Sequence, residues 1–242
     1  MPVGSRVSGM ENRPGRPAAV AAVAALAEPT RRRLYDHVVR SAEPVSRDEA
    51  AAATRVPRPT AAFHLDRLVD DGLLEVHFER RTGRTGPGAG RPSKLYRRTE
   101  CTVSVSLPER RYDLVGDLLA SALDEAELSG ESPRGVLGRR AYLRGRELGE
   151  QARADDTDGP GSDVVLQVLE GQGFEPRLED DAVVLANCPF HDLAGAHTEL
   201  VCGMNLRLLG GVIAGVASTG LVAELRPEPG RCCVRLAPQA EE

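Results

Sequence analysis

Residues 46–72, SRDEAAAATRVPRPTAAFHLDRLVDDG, decide the fold of the N-terminal part of the chain. Ser46 and Glu49 have the spacing of a capping box, in which the serine side chain binds a backbone N–H three residues later and the glutamate reaches back. This pattern predicts that a short helix starts here. The predicted order is a helix over 48–54, a turn over 55–59 and a second helix over 60–71, which stops at Gly72.

The sequence on either side of this stretch adds a helix and a hairpin. Before it, Leu34, Val38 and Val39 share one face of a predicted helix. After it, alternating apolar and polar residues predict two strands that flank a loop rich in Gly and Pro. These elements are a strand over 73–80, a loop over 81–93 and a returning strand over 94–98. Helix, helix, turn, helix and hairpin is the order of a winged helix-turn-helix domain.

Charge is distributed unevenly along the 242 residues. Residues 1–98 hold 18 basic and 11 acidic side chains, whereas residues 99–242 hold 13 basic and 25 acidic ones. A basic half joined to an acidic half indicates a module that binds a polyanion, fused to a domain with another role. The hydrophobic content of 41% is enough for each domain to bury a core.

We expect an α+β chain with more than one domain. In the C-terminal part, helices are predicted over 112–128, 133–153, 163–170 and 204–216, and strands over 174–178, 182–186, 221–225 and 231–236, with 103–107 a strand or extended connector. The expected division is a disordered tail over 1–17, the winged helix-turn-helix over 18–99, a connector and dimerisation helix over 100–130, and a sensor domain over 131–242.

Two apolar stretches could be mistaken for membrane or export signals. Residues 18–27 resemble a signal peptide, but they lead directly into a helix that the fold needs. Residues 208–223 are uncharged but too short to span a bilayer comfortably. We therefore expect a cytoplasmic protein without membrane contact.

The second helix of the motif carries the candidate DNA-reading residues. Its core stripe is Ala61, Leu65, Leu68 and Val69, whereas Thr60, Phe63 and Arg67 lie on another face and Arg58 lies at the start of the helix. Arg58 has the geometry to pair with guanine, Thr60 with several bases, and Phe63 with a thymine methyl group. The alternative for Phe63 is a core aromatic residue, and we expect His64 to be a packing residue.

The predicted hairpin loop is basic. Between residues 80 and 98 there are seven basic side chains and no acidic one, and Arg80, Arg81, Arg84, Arg91 and Lys94 are the candidate DNA contacts. A basic wing suits contacts to phosphates or the minor groove, where affinity comes from counterion release.

Cysteine and histidine cluster in the C-terminal part. The candidate metal ligands are Cys188, His191, His197, Cys202, Cys232 and Cys233, whereas Cys101 stands apart. Without any sign of secretion we expect no disulfide framework, and soft thiolates favour zinc, copper(I) or an iron–sulfur cluster. Successive strand residues point to opposite faces, so only one of the adjacent pair need be a ligand, with Cys232 favoured. Buried, unliganded cysteines are the alternative.

Several stretches resemble a known family of regulators. Glu28 to Leu34 (EPTRRRL), His64-Leu65 and Gly86 to Tyr96 (GPGAGRPSKLY) resemble the ArsR-like winged-helix regulators, and more narrowly the SufR-type repressors of iron–sulfur cluster assembly. The C-terminal cysteines are similar to theirs. The resemblance implies a 4Fe-4S cluster, held by Cys188, Cys202 and one of the Cys232-Cys233 pair, in a repressor. His191 and His197 are the competing candidates for the fourth ligand.

These observations favour a homodimeric DNA-binding regulator that recognises an inverted repeat. An apolar stripe of Leu114, Leu118, Leu119 and Leu123 makes the helix after the wing a candidate dimer interface, with an intradomain core as the alternative. A zinc- or small-ligand-sensing ArsR-like repressor is the alternative within the class. A thiol-dependent enzyme is the alternative outside it, but no oxyanion motif or cofactor fingerprint accompanies Cys188 and His191, so we expect no enzyme.

Overall fold

The computed structural model of the protein describes residues 14–79 and 92–239. The chain divides into two compact units, the first ending at Val105 and the second beginning at Ser106. Both units combine helices with antiparallel strands, which fits the predicted α+β class. The helix predicted over 112–128, which was assigned to a separate connector and dimerisation segment, lies in the second unit.

The first unit has the elements of a winged helix-turn-helix. Its described helices are α1 (Arg16–Ala25), α2 (Pro29–Arg40), α3 (Arg47–Thr54) and α4 (Arg58–Asp70), and its strands are β1 (Val45–Ser46), β2 (Leu74–Glu79) and β3 (Ser93–Arg98). The strands pair in the order β1-β3-β2, with Val76 opposite Tyr96. The helices pack on this small sheet around a core that includes Leu34, Leu65, Leu68, Leu74 and Tyr96.

The predicted capping box is present at the start of α3. The Ser46 hydroxyl accepts a hydrogen bond from the Glu49 N–H at 3.2 Å, and the Glu49 carboxylate accepts one from the Ser46 N–H at 2.8 Å. Helix α4 begins at Arg58, two residues earlier than predicted, because Pro59 falls in its first turn, where a missing N–H is no loss.

Two expectations for the N-terminal region are wrong. The predicted disordered tail over 1–17 ends too late, since α1 begins at Arg16 with a proline in its first turn, while residues 1–13 lie outside the described residues. The single helix predicted before α3 is two helices, because the Glu28 side chain caps a new one by accepting from the N–H groups of Thr30 and Arg31. The alanines of α1 pack inward, with Ala22 and Ala25 in the core.

The second unit has a helical pair beside a four-stranded sheet. Its described helices are α5 (Tyr112–Ser129), α6 (Pro133–Asp155), α7 (Gly161–Gly171), α8 (His191–Ala196) and α9 (Thr198–Val216), and its strands are β4 (Pro176–Glu179), β5 (Ala182–Leu185), β6 (Leu221–Leu225) and β7 (Val234–Pro238). The sheet order is β4-β5-β7-β6. Residues 103–107, predicted to be a strand or an extended connector, form no strand.

Glycines allow α6 and α9 to pack backbone against backbone. A Cβ atom added at Gly145 or Gly149 of α6 would overlap the carbonyl oxygens of Leu208 or Val212. A Cβ atom at Gly211 of α9 would likewise overlap the carbonyl of Tyr142, and one at Gly215 that of Arg146. Each helix therefore presents a pair of glycines four residues apart to the other. Sequence patterning did not predict this contact.

Helix α9 is, within the described residues, the one helix long and apolar enough to cross a membrane, and half of its apolar window is buried in the second unit. It begins at Thr198, six residues before the predicted start, and its buried side includes Cys202 and Asn205.

Helix α5 packs on α6 through part of the stripe proposed for dimerisation. Leu114 and Leu118 are almost fully covered by the chain's own residues, so they belong to the core of the second unit. Leu123 remains exposed. For Leu114 and Leu118, the alternative that the stripe packs within its own domain is therefore right.

The glycine contact gives a stability prediction with a matched control in the adjacent residue. Gly211→Ala should destabilise the second unit by about 1–3 kcal/mol or more, because α9 must move away from α6 to admit the methyl group. Gly210 has open space around its Cα, so Gly210→Ala should instead stabilise the helix, by up to about 1 kcal/mol. Urea unfolding followed by circular dichroism measures both, and equal effects would contradict the packing described.

Candidate nucleic-acid interface and cysteine centre

Helix α4 turns one face to the core and leaves another for recognition. Ala61, Leu65 and Leu68 are fully buried. Phe63 is 66% exposed, so the core interpretation of this aromatic residue is wrong. Thr60 is half-buried and Arg67, one turn after Phe63, is exposed. The structure therefore leaves an exposed aromatic ring in the middle of the helix.

The half-buried His64 lies against neighbouring side chains. Its ring makes an edge contact with Phe63, with the ring centroids 5.3 Å apart, and its Nε2 atom lies 3.7 Å from the Glu28 carboxylate. These contacts agree with the predicted packing role.

The basic residues of α4 are paired with acids of the same unit. Arg58 donates from Nε to Asp48 at 2.6 Å and from Nη2 to the second oxygen of the same carboxylate. Arg67 donates to Asp71 at 3.1 Å. Both arginine side chains remain more than half exposed. Exposed pairs of this kind contribute little to stability, so the fold does not depend on either arginine.

The base of the wing is tied to α4 through one carboxylate. Asp66 accepts hydrogen bonds from Lys94 at 2.5 Å and from the Tyr96 hydroxyl at 2.8 Å. Burial opposes ionisation of Asp66, but these two donors lower its pKa overall. Lys94 is therefore placed at the root of the wing, whereas the other four wing candidates (Arg80, Arg81, Arg84 and Arg91) lie outside the described residues.

Residues 26–77 match the family model of a helix-turn-helix domain. The match runs from the end of α1 through α2, α3 and α4 into β2, the elements that carry the candidate recognition residues. It supports a DNA-binding transcriptional regulator with a winged-helix domain. Comparison of the chain with curated proteins found no match, and comparison with solved structures found none either.

Four cysteines lie on neighbouring segments of the second unit. Cys188 follows β5, Cys202 lies in the first turns of α9, and Cys232 and Cys233 immediately precede β7. The pairing of β5 with β7 creates this convergence, because the Cys232 N–H donates to the Leu185 carbonyl at 2.9 Å. The three segments are far apart in sequence and adjacent in the fold.

The four sulfur atoms form two pairs. Cys202 and Cys233 are joined by a disulfide, although we expected no disulfide framework. Cys188 and Cys232 are buried thiols joined by a hydrogen bond. Cys232 and Cys233 are adjacent in the sequence, but each contacts a different cysteine. Cys232 contacts Cys188, and Cys233 is bonded to Cys202. This agrees with successive strand residues pointing to opposite faces, and which of the two would be a metal ligand stays a prediction.

The hydrogen bond makes the two buried thiols unequal. The S–H of Cys232 donates to Cys188 and lowers the pKa of the Cys188 thiol to about 7, against the opposing effect of burial. The Phe190 N–H and the Arg110 charge lower this pKa further. The same hydrogen bond and burial raise the pKa of Cys232. Cys188 therefore loses its proton at lower pH than Cys232 does.

Two buried asparagines support the centre, and sequence analysis assigned a role to neither. The Asn187 amide donates to the Gly173 carbonyl at 2.7 Å and accepts from Arg110 at 2.7 Å, which fixes the loop that carries Cys188. Asn205, one turn after Cys202, donates from Nδ2 to the Cys232 sulfur at 3.2 Å. Its Oδ1 atom is buried without a hydrogen-bond partner among the described residues. The signal in the sequence that could have identified Asn205 was a polar amide within the apolar stretch that forms α9.

The two candidate histidines lie outside this buried centre. His191 and His197, at the first residue of α8 and just after its last, are both exposed. Within residues 14–79 and 92–239, no three His, Cys, Asp or Glu side chains are grouped so as to hold a metal ion. In the disulfide state the centre offers two thiols.

Solvent reaches the centre through a charged pocket. Cys232 lines a cavity of about 210 Å³ whose other walls include Glu179, Arg226, Glu228 and Arg231. The arginines are paired with acids, Arg231 with Glu179 at 2.6 Å and Arg226 with Glu228 at 3.4 Å. The pocket gives a small reagent a polar approach to a buried sulfur.

The sulfur pairing predicts a thiol count. In the metal-free protein, unfolded without reductant, a thiol reagent should label three of the five cysteines, namely Cys101, Cys188 and Cys232, and all five after reduction. Peptide mapping should recover Cys202 linked to Cys233. Cys202→Ser should raise the unreduced count by releasing Cys233, whereas Cys101→Ser should lower it. Five labelled cysteines without reductant would contradict the pairing.

Proposed function

We propose that this chain is a cytoplasmic transcriptional repressor whose operator affinity is controlled by an iron–sulfur cluster, most simply a 4Fe-4S cluster, held by Cys188, Cys202, Cys232 and Cys233. The observation that carries the proposal is the convergence of these four cysteines from three separate segments of the second unit. We propose no catalytic role.

The donor set fits such a group once the disulfide is reduced. Four sulfur ligands suit a cluster, and three of the four cysteines are buried. N–H groups already point at its sulfur atoms, from Phe190 to Cys188 and from Asn205 to Cys232. Such hydrogen bonds stabilise the negative charge of ligating thiolates. When bound, a cluster would supply sensitivity to oxygen and to iron supply.

The four-cysteine set changes the place of the histidines in the proposal. With three cysteines, His191 or His197 was needed as a fourth ligand. With both Cys232 and Cys233 at the centre, the cysteines suffice, and the exposed histidines are the weaker candidates. Tetrahedral coordination by four cysteines also suits zinc, which makes a zinc-sensing repressor the second candidate.

Ligation would couple the centre to its surroundings in the second unit. It would tie the loop after β5, the start of α9 and the start of β7 to one point, and loss of the ligand would release them. A ligand shifts a conformational equilibrium only by its differential affinity for the two states, so we expect a coupling of about 1–3 kcal/mol, or roughly 5–150-fold in DNA affinity. That the loaded form represses rests on the resemblance to SufR-type regulators.

The DNA-binding half of the proposal assigns roles to named residues. Arg58, Thr60 and Phe63 contact base edges, Arg67 and Lys94 contact the backbone, and Arg80, Arg81, Arg84 and Arg91 of the wing contact phosphates or the minor groove. A homodimer would place two such helices on an inverted repeat in double-stranded DNA, with half-sites one helical turn apart.

The cofactor assignment is tested by metal analysis of protein purified without oxygen. Iron and sulfide should be present with a broad visible absorption. Serine variants at Cys188, Cys202, Cys232 or Cys233 should each lose most of the iron, since changes merely beside a ligand already cost about 10–100-fold in metal affinity. Cys101→Ser, in the first unit, is the matched control and should keep it. Stoichiometric zinc without iron would favour the zinc-sensing alternative. The absence of both iron and zinc would contradict the proposal.

A further inference from the structure

Arg58 is held by two hydrogen bonds to a single acid. Asp48, the second residue of α3, accepts from Nε of Arg58 at 2.6 Å and also from Nη2. Arg47 makes a longer contact of 3.4 Å to the same carboxylate. Both members of the pair are exposed, with 66% of the Arg58 side chain and 48% of the Asp48 side chain open to solvent.

The geometry of the pair leaves the end of the guanidinium available. Asp48 occupies the side edge formed by Nε and Nη2. Within the described part of the chain no hydrogen bond forms at Nη1, and Nη2 keeps a second N–H. These two end groups form the planar fork that recognises O6 and N7 of guanine. The carboxylate therefore fixes the arginine without using the donors that would read a base.

Stability and affinity alone do not account for this acid. An exposed ion pair adds little to the stability of a fold. An acid in the first turn of α3 interacts favourably with the helix dipole, but that interaction does not require two hydrogen bonds to Arg58. Beside a surface that binds phosphates, the negative charge of Asp48 weakens binding to every DNA sequence. A benefit in recognition would offset that loss.

We propose that Asp48 is a positioning residue that determines specificity, by holding the Arg58 guanidinium in the orientation that pairs with guanine. The inference rests on the proposed base contact of Arg58. Asp48 prevents the arginine from turning toward phosphates, so the protein gives up general DNA affinity for discrimination at one base pair in each half-site.

The test is a selection from duplexes with about 26 randomised central base pairs, enough for two half-sites one helical turn apart. The full chain, purified without oxygen, is used as wild type and as Asp48→Asn, which keeps the size of the side chain. Wild type should enrich an inverted repeat with a guanine in each half-site. The variant should enrich the same repeat with about tenfold weaker preference for that guanine, and should bind unrelated DNA more tightly.

Three further variants separate the explanations. Arg58→Lys keeps the charge but not the fork, and it should lose the guanine preference while retaining binding to unrelated DNA. Adding Asp48→Asn to Arg58→Lys should change the preference no further. Asp70→Asn removes one exposed negative charge from the last residue of α4, the helix that begins at Arg58, and this variant should behave as wild type. Thermal unfolding checks that every variant is folded.

The outcomes distinguish this inference from the proposed function. If wild type enriches no sequence, sequence-specific DNA binding itself fails. If wild type enriches a repeat, and Asp48→Asn keeps or strengthens the guanine preference, the positioning role of Asp48 is overturned and the regulator remains. An unchanged motif for Arg58→Lys would overturn the role of Arg58 as the reader, and with it the role of Asp48.

Discussion

The close contact between α6 and α9 is the constraint on which the second unit depends. Four glycines let the two backbones approach so closely that a methyl group at Gly145 or Gly211 would overlap a carbonyl oxygen of the other helix. Because interiors pack at crystal-like density, such a contact admits little change in the position or rotation of either helix. The first turns of α9 carry Cys202, and the next turn carries Asn205, so this contact also fixes where one edge of the cysteine centre lies.

The sheet supplies the opposite edge. Antiparallel pairing of β5 with β7 places the end of one strand beside the start of the other, which brings Cys188 to Cys232. The result is a set of four sulfur atoms, three of them on buried cysteines, that form a disulfide and a thiol pair and would become four thiols after reduction. Under the proposed function, this change in the available thiols would make the centre respond to redox conditions as well as to the supply of a metal or cluster.

Local signals in the sequence predicted most of the first unit. The Ser46 and Glu49 capping box, the stop at Gly72 and the alternating strands of the hairpin are set by short-range chemistry, and the structure places them within a few residues of the prediction. The division between α1 and α2 was missed because it depends on a side-chain cap by Glu28 within an otherwise continuous helical pattern.

The second unit was less predictable because its decisive contacts join distant segments. The cysteines were recognisable by their chemistry, but their pairing depends on which strands are neighbours, and sequence spacing does not determine that. The glycines of α6 and α9 read as poor helix formers until the partner backbone is known. Asn205 gains its role from the Cys232 sulfur that tertiary structure brings to it. Exposure of Phe63 was ambiguous for a similar reason, since an aromatic residue suits a core as well as a DNA contact.

We propose that the state of the cysteine centre in the second unit sets the DNA affinity of the first. The most direct measurement is the dissociation constant for one selected operator duplex, determined without oxygen at fixed moderate salt, for the same preparation before and after its metal is removed. The account predicts roughly 5–150-fold tighter binding by the loaded protein, and weak binding by Cys202→Ser under both conditions. Equal affinities for the loaded and metal-free protein, with the metal content of each verified, would contradict it.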